Sequence, residues 1–257
     1  DSYLQFATAT ATVLESGTNV VLTVTRTGAK LTTVSVPYSF INGSATNGVD
    51  YTGVAGTLTF GTNVATATIT VPILNDHIIE ANKTFTLALS SPTGEAVLGT
   101  NTTAIVTIID DDSLATFASP NLVVREDVGS VTINVQRIGY TNLGASVTVV
   151  SSNNTALAGQ DFNAVNTNIF FNPGEILKSF TVSIINDQFD RGTRSFDLRL
   201  VNPVGEISVG TSSNVTITIT EDDFRTVVPA GVSLVAGSES FAPANNAIDP
   251  NETVTVN

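Results

Sequence analysis

The acidic residues of this chain fall into two groups whose side chains suit the binding of a cation. The first group contains Glu15, Asp50, Asp76, Glu80, Asp110, Asp111 and Asp112. The second group contains Glu126, Asp127, Asp161, Asp187, Asp190, Glu221, Asp222 and Asp223. Carboxylates packed within a few Å of one another repel, which raises their pKa values and opposes folding unless a cation neutralises them. Each group is therefore a candidate metal site.

Calcium is the ion that best matches these residue types. It takes roughly 6–8 oxygen ligands and accepts irregular geometry. The chain has no cysteine and a single histidine, so an all-oxygen site is the natural expectation. The side-chain oxygens of Asn75 and Asn186 are further candidate ligands, unless these residues only stabilise turns. The alternative is that the acids are solvated and mark sheet edges and turns.

The two groups belong to an internal repeat. Glu15 corresponds to Glu126, and Asp76 corresponds to Asp187, each 111 positions later. Apolar, turn and charged positions keep the same spacing without an insertion, which indicates two copies of one module. The expected domains are residues 1–112 and 113–223. Residues 224–257 are expected to be either the partial start of a third β module or a terminal strand that is exchanged with a neighbouring chain.

Alternating apolar and polar residues within each copy predict strands that are buried on one face. Turn signals such as Asn42-Gly43 separate these strands. Seven strands per copy are predicted, near residues 3–14, 18–27, 33–40, 55–60, 64–74, 84–90 and 102–109, with the same set 111 residues later. Seven short alternating strands in about 110 residues are typical of an immunoglobulin-like sandwich. The predicted fold class is therefore all-β, with two tandem antiparallel sandwiches.

Strand direction predicts where the acids lie. If successive strands run up and down, alternate connections share one pole of the sandwich. Glu15 falls in the first connection, Asp50 in the third, and Asp76 in the fifth, while Asp110 to Asp112 end the seventh strand. Each acidic group is thus expected at a single pole. The opposite pole of the first copy contributes only Glu95 and Lys30.

Three short motifs of the first copy resemble the Calx-beta domain. They are NGVDYTG at 47–53, NDHIIEANKTF at 75–85 and TIIDDD at 107–112, and the second copy has AGQDFNA, NDQFDRGTRSF and TITEDD in the same places. The resemblance spans about residues 1–223. It implies calcium at the pole that faces the next module. The implied ligands in the first copy are Glu15, Asp50, Asp76, Glu80, Asp110, Asp111 and Asp112.

Three cations depart from the pattern of the family that this chain resembles. Lys83 and Arg194 stand where that family usually has a second glutamate. Arg191 occupies the position equivalent to Glu80, although Asp190 partly compensates. In the second copy an internal salt-bridge cluster is therefore an alternative to a metal ion.

Composition narrows the possible functions. The net charge of -13 argues against nucleic acid as a partner, because phosphate binding needs a basic surface. No apolar run approaches the roughly 20 residues that span a bilayer. His77 next to Asp76 raises the possibility of a catalytic triad, but no nucleophile motif accompanies it, and a solvent-exposed histidine is the simpler interpretation. We expect no enzyme.

The preferred hypothesis is a calcium-binding segment of an extracellular or cell-surface protein, bacterial in origin. In this hypothesis Ca²⁺ at the pole between modules stiffens a rod of serial sandwiches with an adhesive or matrix role. Its partners would be neighbouring β modules of the same or adjacent chains, including a homopolymer. The alternatives are a filament subunit joined by exchange of a terminal strand, and a non-catalytic accessory region of a large secreted enzyme.

Overall fold

The computed structural model describes residues 1–223. Residues 1–187 and 191–222 form one compact unit that contains both repeats. The prediction of a third partial module or an exchanged strand at residues 224–257 lies outside the described residues. No helix within residues 1–223 is long and apolar enough to cross a lipid bilayer.

Repeat 1, residues 1–112, is built from nine strands in two sheets. These strands are β1 (Ser2–Phe6), β2 (Thr10–Leu14), β3 (Asn19–Gly28), β4 (Val34–Asn42), β5 (Gly56–Phe60), β6 (Thr66–Pro72), β7 (Lys83–Leu89), β8 (Ala96–Leu98) and β9 (Thr103–Ile109). One sheet has the strand order β6-β3-β1-β8, and the other has the order β2-β9-β7-β4-β5. Two facing sheets of this kind make a sandwich, which confirms the predicted fold class.

Repeat 2, residues 113–223, reproduces the same arrangement. Its strands are β10 (Ser113–Phe117), β11 (Asn121–Arg125), β12 (Ser130–Gly139), β13 (Ala145–Asn153), β14 (Asn166–Phe171), β15 (Leu177–Ser183), β16 (Arg194–Val204), β17 (Ser208–Val209) and β18 (Asn214–Thr220). The sheets have the orders β15-β12-β10-β17 and β11-β18-β16-β13-β14. A single 3₁₀ turn, η1 (Glu126–Val128), follows β11. The two repeats therefore share one topology.

The count of seven strands differs from the structure at two places in each repeat. The first predicted strand is divided because the chain changes sheets at residues 7–9. The Ala7 N–H still donates to Thr23 in the β3 sheet, whereas the Ala9 carbonyl accepts from Ile105 in the β9 sheet. The second difference is β8, which pairs in parallel with β1 where a loop was expected. Both differences depend on long-range pairing, which alternation along the sequence does not reveal.

Alternating residues of the facing strands fill each core. In β3, Val20, Leu22 and Val24 point inward and are buried, while Thr23 between them is only partly covered. The core of repeat 2 includes Phe162 and Phe196, whose rings stack with their centroids 3.8 Å apart. Close packing of this kind holds the strand ends in fixed positions. The loops that carry the acids therefore start from a rigid frame.

Candidate cation site

Three acids of repeat 1 meet at the end of the sandwich that leads into repeat 2. Glu15 follows β2, Asp76 lies between β6 and β7, and Asp112 follows β9. One carboxylate oxygen from each lies within 4.8 Å of the other two. Glu15 is only 5% exposed and Asp112 only 1%. The geometry thus brings together residues that are far apart in the sequence, at the pole where they were predicted.

These carboxyl groups are costly to ionise without a cation. Burial, together with the nearby charges of Asp76 and Asp112, raises the pKa of Glu15 to about 7. Burial also raises the pKa of Asp112 to about 6, together with the charges of Asp110 and Glu206. Neither side-chain oxygen of Asp112 has a hydrogen-bond partner. Since buried polar atoms are normally satisfied, Asp112 has the properties of a ligand that needs an ion.

Lys83 holds two of the other predicted ligands. Its ammonium lies 2.6 Å from Asp50 Oδ1 and also pairs with Glu80. The hydrogen bonds to these two carboxylates raise the pKa of Lys83. The second oxygen of Asp50 accepts a hydrogen bond of 2.6 Å from the Thr46 N–H. Asp50 and Glu80 therefore lie beside the three-acid cluster, but a protein cation neutralises them.

Asp110 and Asp111 bind the surrounding backbone. Asp110 accepts hydrogen bonds from the Glu80 N–H at 2.6 Å and from the Asp112 N–H at 3.0 Å. Asp111 is fully buried and accepts from the backbone N–H and the hydroxyl of Ser16. These bonds fix the loop that carries Glu80 and the residue that follows Glu15. Asp110 and Asp111 thus order the pole, whether or not they also bind an ion.

The same pole contacts repeat 2 through residues that the sequence analysis did not join. His77 Nδ1 lies 3.3 Å from Glu206 Oε2 and 3.6 Å from Asp112 Oδ1. The Asn75 amide nitrogen, from a residue predicted as an oxygen ligand, donates to Glu206 at 3.2 Å. Glu206 is the counterpart of Glu95, and therefore belongs to the opposite pole of its own repeat. Two repeats that stack in series bring one pole of the first against the opposite pole of the second, and this could have indicated Glu206 from the sequence.

In repeat 2 a buried arginine occupies the corresponding pole. The Arg194 guanidinium lies 3.1 Å from Asp161, 3.4 Å from Glu126 and 3.9 Å from Glu221, measured between the nearest nitrogen and oxygen atoms. Its side chain is 8% exposed, and Glu126 is fully buried. Burial and the neighbouring Glu221 carboxyl raise the pKa of Glu126 to about 7, while the charge of Arg194 opposes this rise.

Two arginines pair with several of the remaining predicted ligands of repeat 2. Arg191 lies 3.0 Å from Asp187 and 3.5 Å from Asp161. Arg125 pairs with Asp222 at 3.4 Å and with Asp127 at 3.0 Å. Four more predicted positions are Asp190 and Asn186, which are exposed, and Glu221 and Asp223, which are half-buried. Ligand atoms of Glu126, Glu221 and Asp222 still lie within 4.8 Å of one another.

The donor set of repeat 1 fits a hard divalent cation. Glu15, Asp76 and Asp112 supply only oxygen atoms, two of the three side chains are buried, and the two oxygens of Asp112 lack other partners. An ion placed there would offset the burial and the repulsion that raise the pKa values of Glu15 and Asp112. The cluster can bind a cation, and the charge of that ion would order the loops that carry these acids.

Each of the two tandem sandwiches has buried acids at one end. This arrangement is typical of β modules that bind cations. The Calx-beta domain family matches residues 1–112 and residues 113–224. The chain belongs to the Calx-beta family and carries two of its domains in tandem. This confirms the resemblance read from the motifs, and it supports Ca²⁺ as the ion for this class of module. The family is a binding module and not a catalytic domain.

Sodium/calcium exchangers are among the similar proteins. The chain is 31% identical to sodium/calcium exchanger 1 of the dog over 223 residues, which cover 79% of this chain and 23% of that protein. It is 27% identical to the sodium/calcium exchanger Calx of Drosophila melanogaster over 198 residues, or 75% of this chain and 20% of that protein. The chain therefore spans about a quarter or less of the length of these relatives.

A solved structure, CBD12 from CALX1.2, is also similar in fold. Its sequence identity to this chain is 21% and its TM-score is 0.46, and the match covers 84% of this chain and 99% of that structure.

The predicted extracellular or cell-surface location is wrong. That location was inferred from the types of protein in which the resembling modules occur, whereas the similar proteins include the sodium/calcium exchangers of the dog and of Drosophila melanogaster. The physical reason for the error is that an acidic, cysteine-free sandwich is compatible with either side of a membrane. The adhesion, matrix and filament roles receive no support from these relatives.

Proposed function

We propose that this chain is a calcium-responsive module in which an ion at the pole of repeat 1 rigidifies the junction with repeat 2. Glu15, Asp76 and Asp112 are the proposed primary ligands. The observation that carries the proposal is the burial of Glu15 and Asp112 beside Asp76, with both oxygens of Asp112 unsatisfied by hydrogen bonds. Removing such charges from water without a counter-ion is costly, so binding energy is available to order the pole.

The junction explains why an ion there would affect both repeats. β9 ends at Ile109 and β10 begins at Ser113, so the acids 110–112 form the whole connection. The Asp112 carbonyl accepts a hydrogen bond of 2.8 Å from the Tyr140 N–H of repeat 2. Gly139 has a φ of 98° and lies so close to this carbonyl that an added Cβ would collide with it. A ligand shift at Asp112 would therefore move contacts that belong to repeat 2.

The role of repeat 2 follows from its arginines. We propose that Arg194 and Arg191 substitute for an ion among Glu126, Asp161, Asp187 and Glu221 in the resting chain. Guanidinium groups keep their charge and bind carboxylates in fixed geometry, which suits a structural counter-ion. Repeat 2 would then remain ordered without calcium while repeat 1 responds to it. The other candidate ligands of repeat 2 stay predictions.

Calcium titration of the full chain tests the proposed function. After chelation, Ca²⁺ at about 100 times its Kd should raise the free energy of unfolding by roughly 2.7 kcal/mol through mass action. Calorimetry should show heat of binding, and Asp76→Asn should remove most of it. Glu175→Gln is the matched control, because Glu175 is half-buried and bonds locally, to Asn172 and Lys178. An absence of calcium heat in the unmodified chain would contradict the proposal.

Scattering tests the junction separately from binding. Small-angle X-ray scattering of the full chain should show a narrower distribution of dimensions with calcium than with chelator. A calcium-binding chain whose scattering profile does not change would disprove the stiffening role while leaving the binding role in place.

Lys83→Gln should increase the calcium affinity of repeat 1 by about tenfold or more, because it frees Asp50 and Glu80 from the competing ammonium. Loss of that ion pair should also lower the stability of the calcium-free chain, since Asp50 is buried. Calorimetry and chemical unfolding measure the two effects. Lys30→Gln, at the opposite pole, is the control. If the affinity of the Lys83→Gln variant is unchanged, the ammonium does not compete with the ion.

A further inference from the structure

A second kind of metal ligand lies at the junction between the repeats. His77 Nδ1 from the acidic loop of repeat 1 is 3.3 Å from Glu206 Oε2 of repeat 2 and 3.6 Å from Asp112 Oδ1. The three ligand atoms lie within 4.8 Å of one another. This group includes a nitrogen donor, whereas the proposed calcium ligands supply only oxygen. The two clusters share Asp112.

The donor types and spacings match a tetrahedral transition-metal ion. Zn²⁺ binds imidazole nitrogen and carboxylate oxygen at about 2.0–2.2 Å, which places neighbouring ligands of a tetrahedron roughly 3.3–3.6 Å apart. The two distances measured from His77 lie close to that spacing. Calcium prefers oxygen ligands in larger numbers. The mixed set of His77, Asp112 and Glu206 therefore favours a zinc-type ion over calcium.

Two features of the surroundings suit metal binding. Asp112 is 1% exposed, and neither of its side-chain oxygens accepts a hydrogen bond, so both can bind an ion. His77 is 62% exposed, which leaves a route for the ion and room for a water ligand. The Asn75 amide donates to Glu206 and fixes its orientation, as partners of ligating carboxylates commonly do.

We infer that His77, Asp112 and Glu206 form a binding site for a divalent transition-metal ion of the zinc type that bridges the two repeats. The site goes beyond the proposed calcium function and does not depend on it. Because Asp112 serves both clusters, occupation of one site changes the affinity of the other. The chain has one histidine and no cysteine, so an imidazole or thiolate ligand can come from no other residue.

Zinc titration of the tag-free full chain at saturating calcium tests the site. One equivalent of Zn²⁺ is expected to bind, and His77→Gln and Glu206→Gln should each weaken its binding by more than about 100-fold, beyond the roughly 10–100-fold loss typical of an outer-shell partner. Glu95→Gln is the matched control, because Glu95 is the counterpart of Glu206 in repeat 1. The resonances of the single imidazole should shift on addition of Zn²⁺, which reports on His77 directly.

The outcomes separate this site from the calcium site. Glu15→Gln should abolish the calcium response while zinc still shifts the His77 resonances. His77→Gln should abolish zinc binding while the response to calcium remains. Absence of zinc binding would overturn the inference, leaving only an ion pair between His77 and the two carboxylates. Zinc binding that His77→Gln leaves unchanged would also overturn it, because the ion would then lie among the acids alone.

Discussion

Replacing Arg194 with methionine is expected to destabilise repeat 2 by about 3–5 kcal/mol at neutral pH without calcium. The substitution keeps most of the side-chain volume but removes the positive charge that faces Glu126, Asp161 and Glu221. Glu126 is fully buried, so its carboxylate would be left without an adequate counter-charge. The loss should therefore far exceed that of a surface ion pair, which is worth roughly 0–1 kcal/mol.

Urea unfolding of the full chain, combined with hydrogen exchange of β16 and β18, measures this loss and assigns it to repeat 2. Arg199→Met is the matched control, because Arg199 is on the same strand but exposed. Lowering the pH should reduce the deficit, since protonated carboxyls no longer require a cation. Added calcium should also reduce it if the freed acids bind an ion. If Arg194→Met lost no more unfolding free energy than Arg199→Met, the Arg194 guanidinium would not neutralise the acids of this pole.

Glu15→Gln should stabilise the calcium-free chain and abolish its response to calcium. The folded pKa of Glu15 is about 7, against an ordinary value of 4.5, so the folded chain holds a proton that the unfolded chain releases. The stability that this proton contributes to the folded chain is fully present below the ordinary pKa of 4.5. It is lost as the pH rises through the folded pKa of about 7. The difference between the two pKa values corresponds to roughly 3 kcal/mol in the free energy of unfolding. The neutral amide removes most of this cost above pH 7.

The measurement is the free energy of unfolding against pH, with chelator and with saturating calcium. With chelator, the unmodified chain should lose stability between about pH 5 and pH 7, and Glu15→Gln should show a flatter profile. With calcium the trend should reverse, because the ionised carboxyl is the form that binds. Glu95→Gln, at an exposed position, should leave both profiles unchanged. A calcium-free Glu15→Gln variant that is less stable than the unmodified chain would refute this account.

The sequence predicted the architecture and the acidic pole because both depend on periodicity. Strand alternation gives the sandwich, and the parity of connections places Glu15, Asp76 and Asp112 together. The sequence did not predict that Lys83 neutralises Asp50. Such pairing depends on distances of a few Å, which periodicity does not give. The departure of Arg194 from the pattern of the related family was visible in the sequence, whereas its three carboxylate partners became identifiable only in the structure.

The junction was missed for a different reason. Parity was applied to each repeat alone, so His77 was interpreted as a solvent-exposed residue and Glu206, the counterpart of Glu95, was not joined to the acidic pole of repeat 1. Stacking in series brings the acidic pole of repeat 1 against the other end of repeat 2, where Glu206 lies. The division of the first strand into β1 and β2 was missed because alternation continues while the hydrogen-bond partner changes.

The connection between the repeats also restricts insertions and deletions. Asp112 is held by its place in the acidic cluster, and Ser113 is the first residue of β10, which pairs in register with β12. One added residue between them would either pull Asp112 out of the cluster or shift β10 by one position. Because side chains alternate between faces, such a shift would turn Ala115 and Phe117 out of the core. The length of this segment is therefore fixed from both sides.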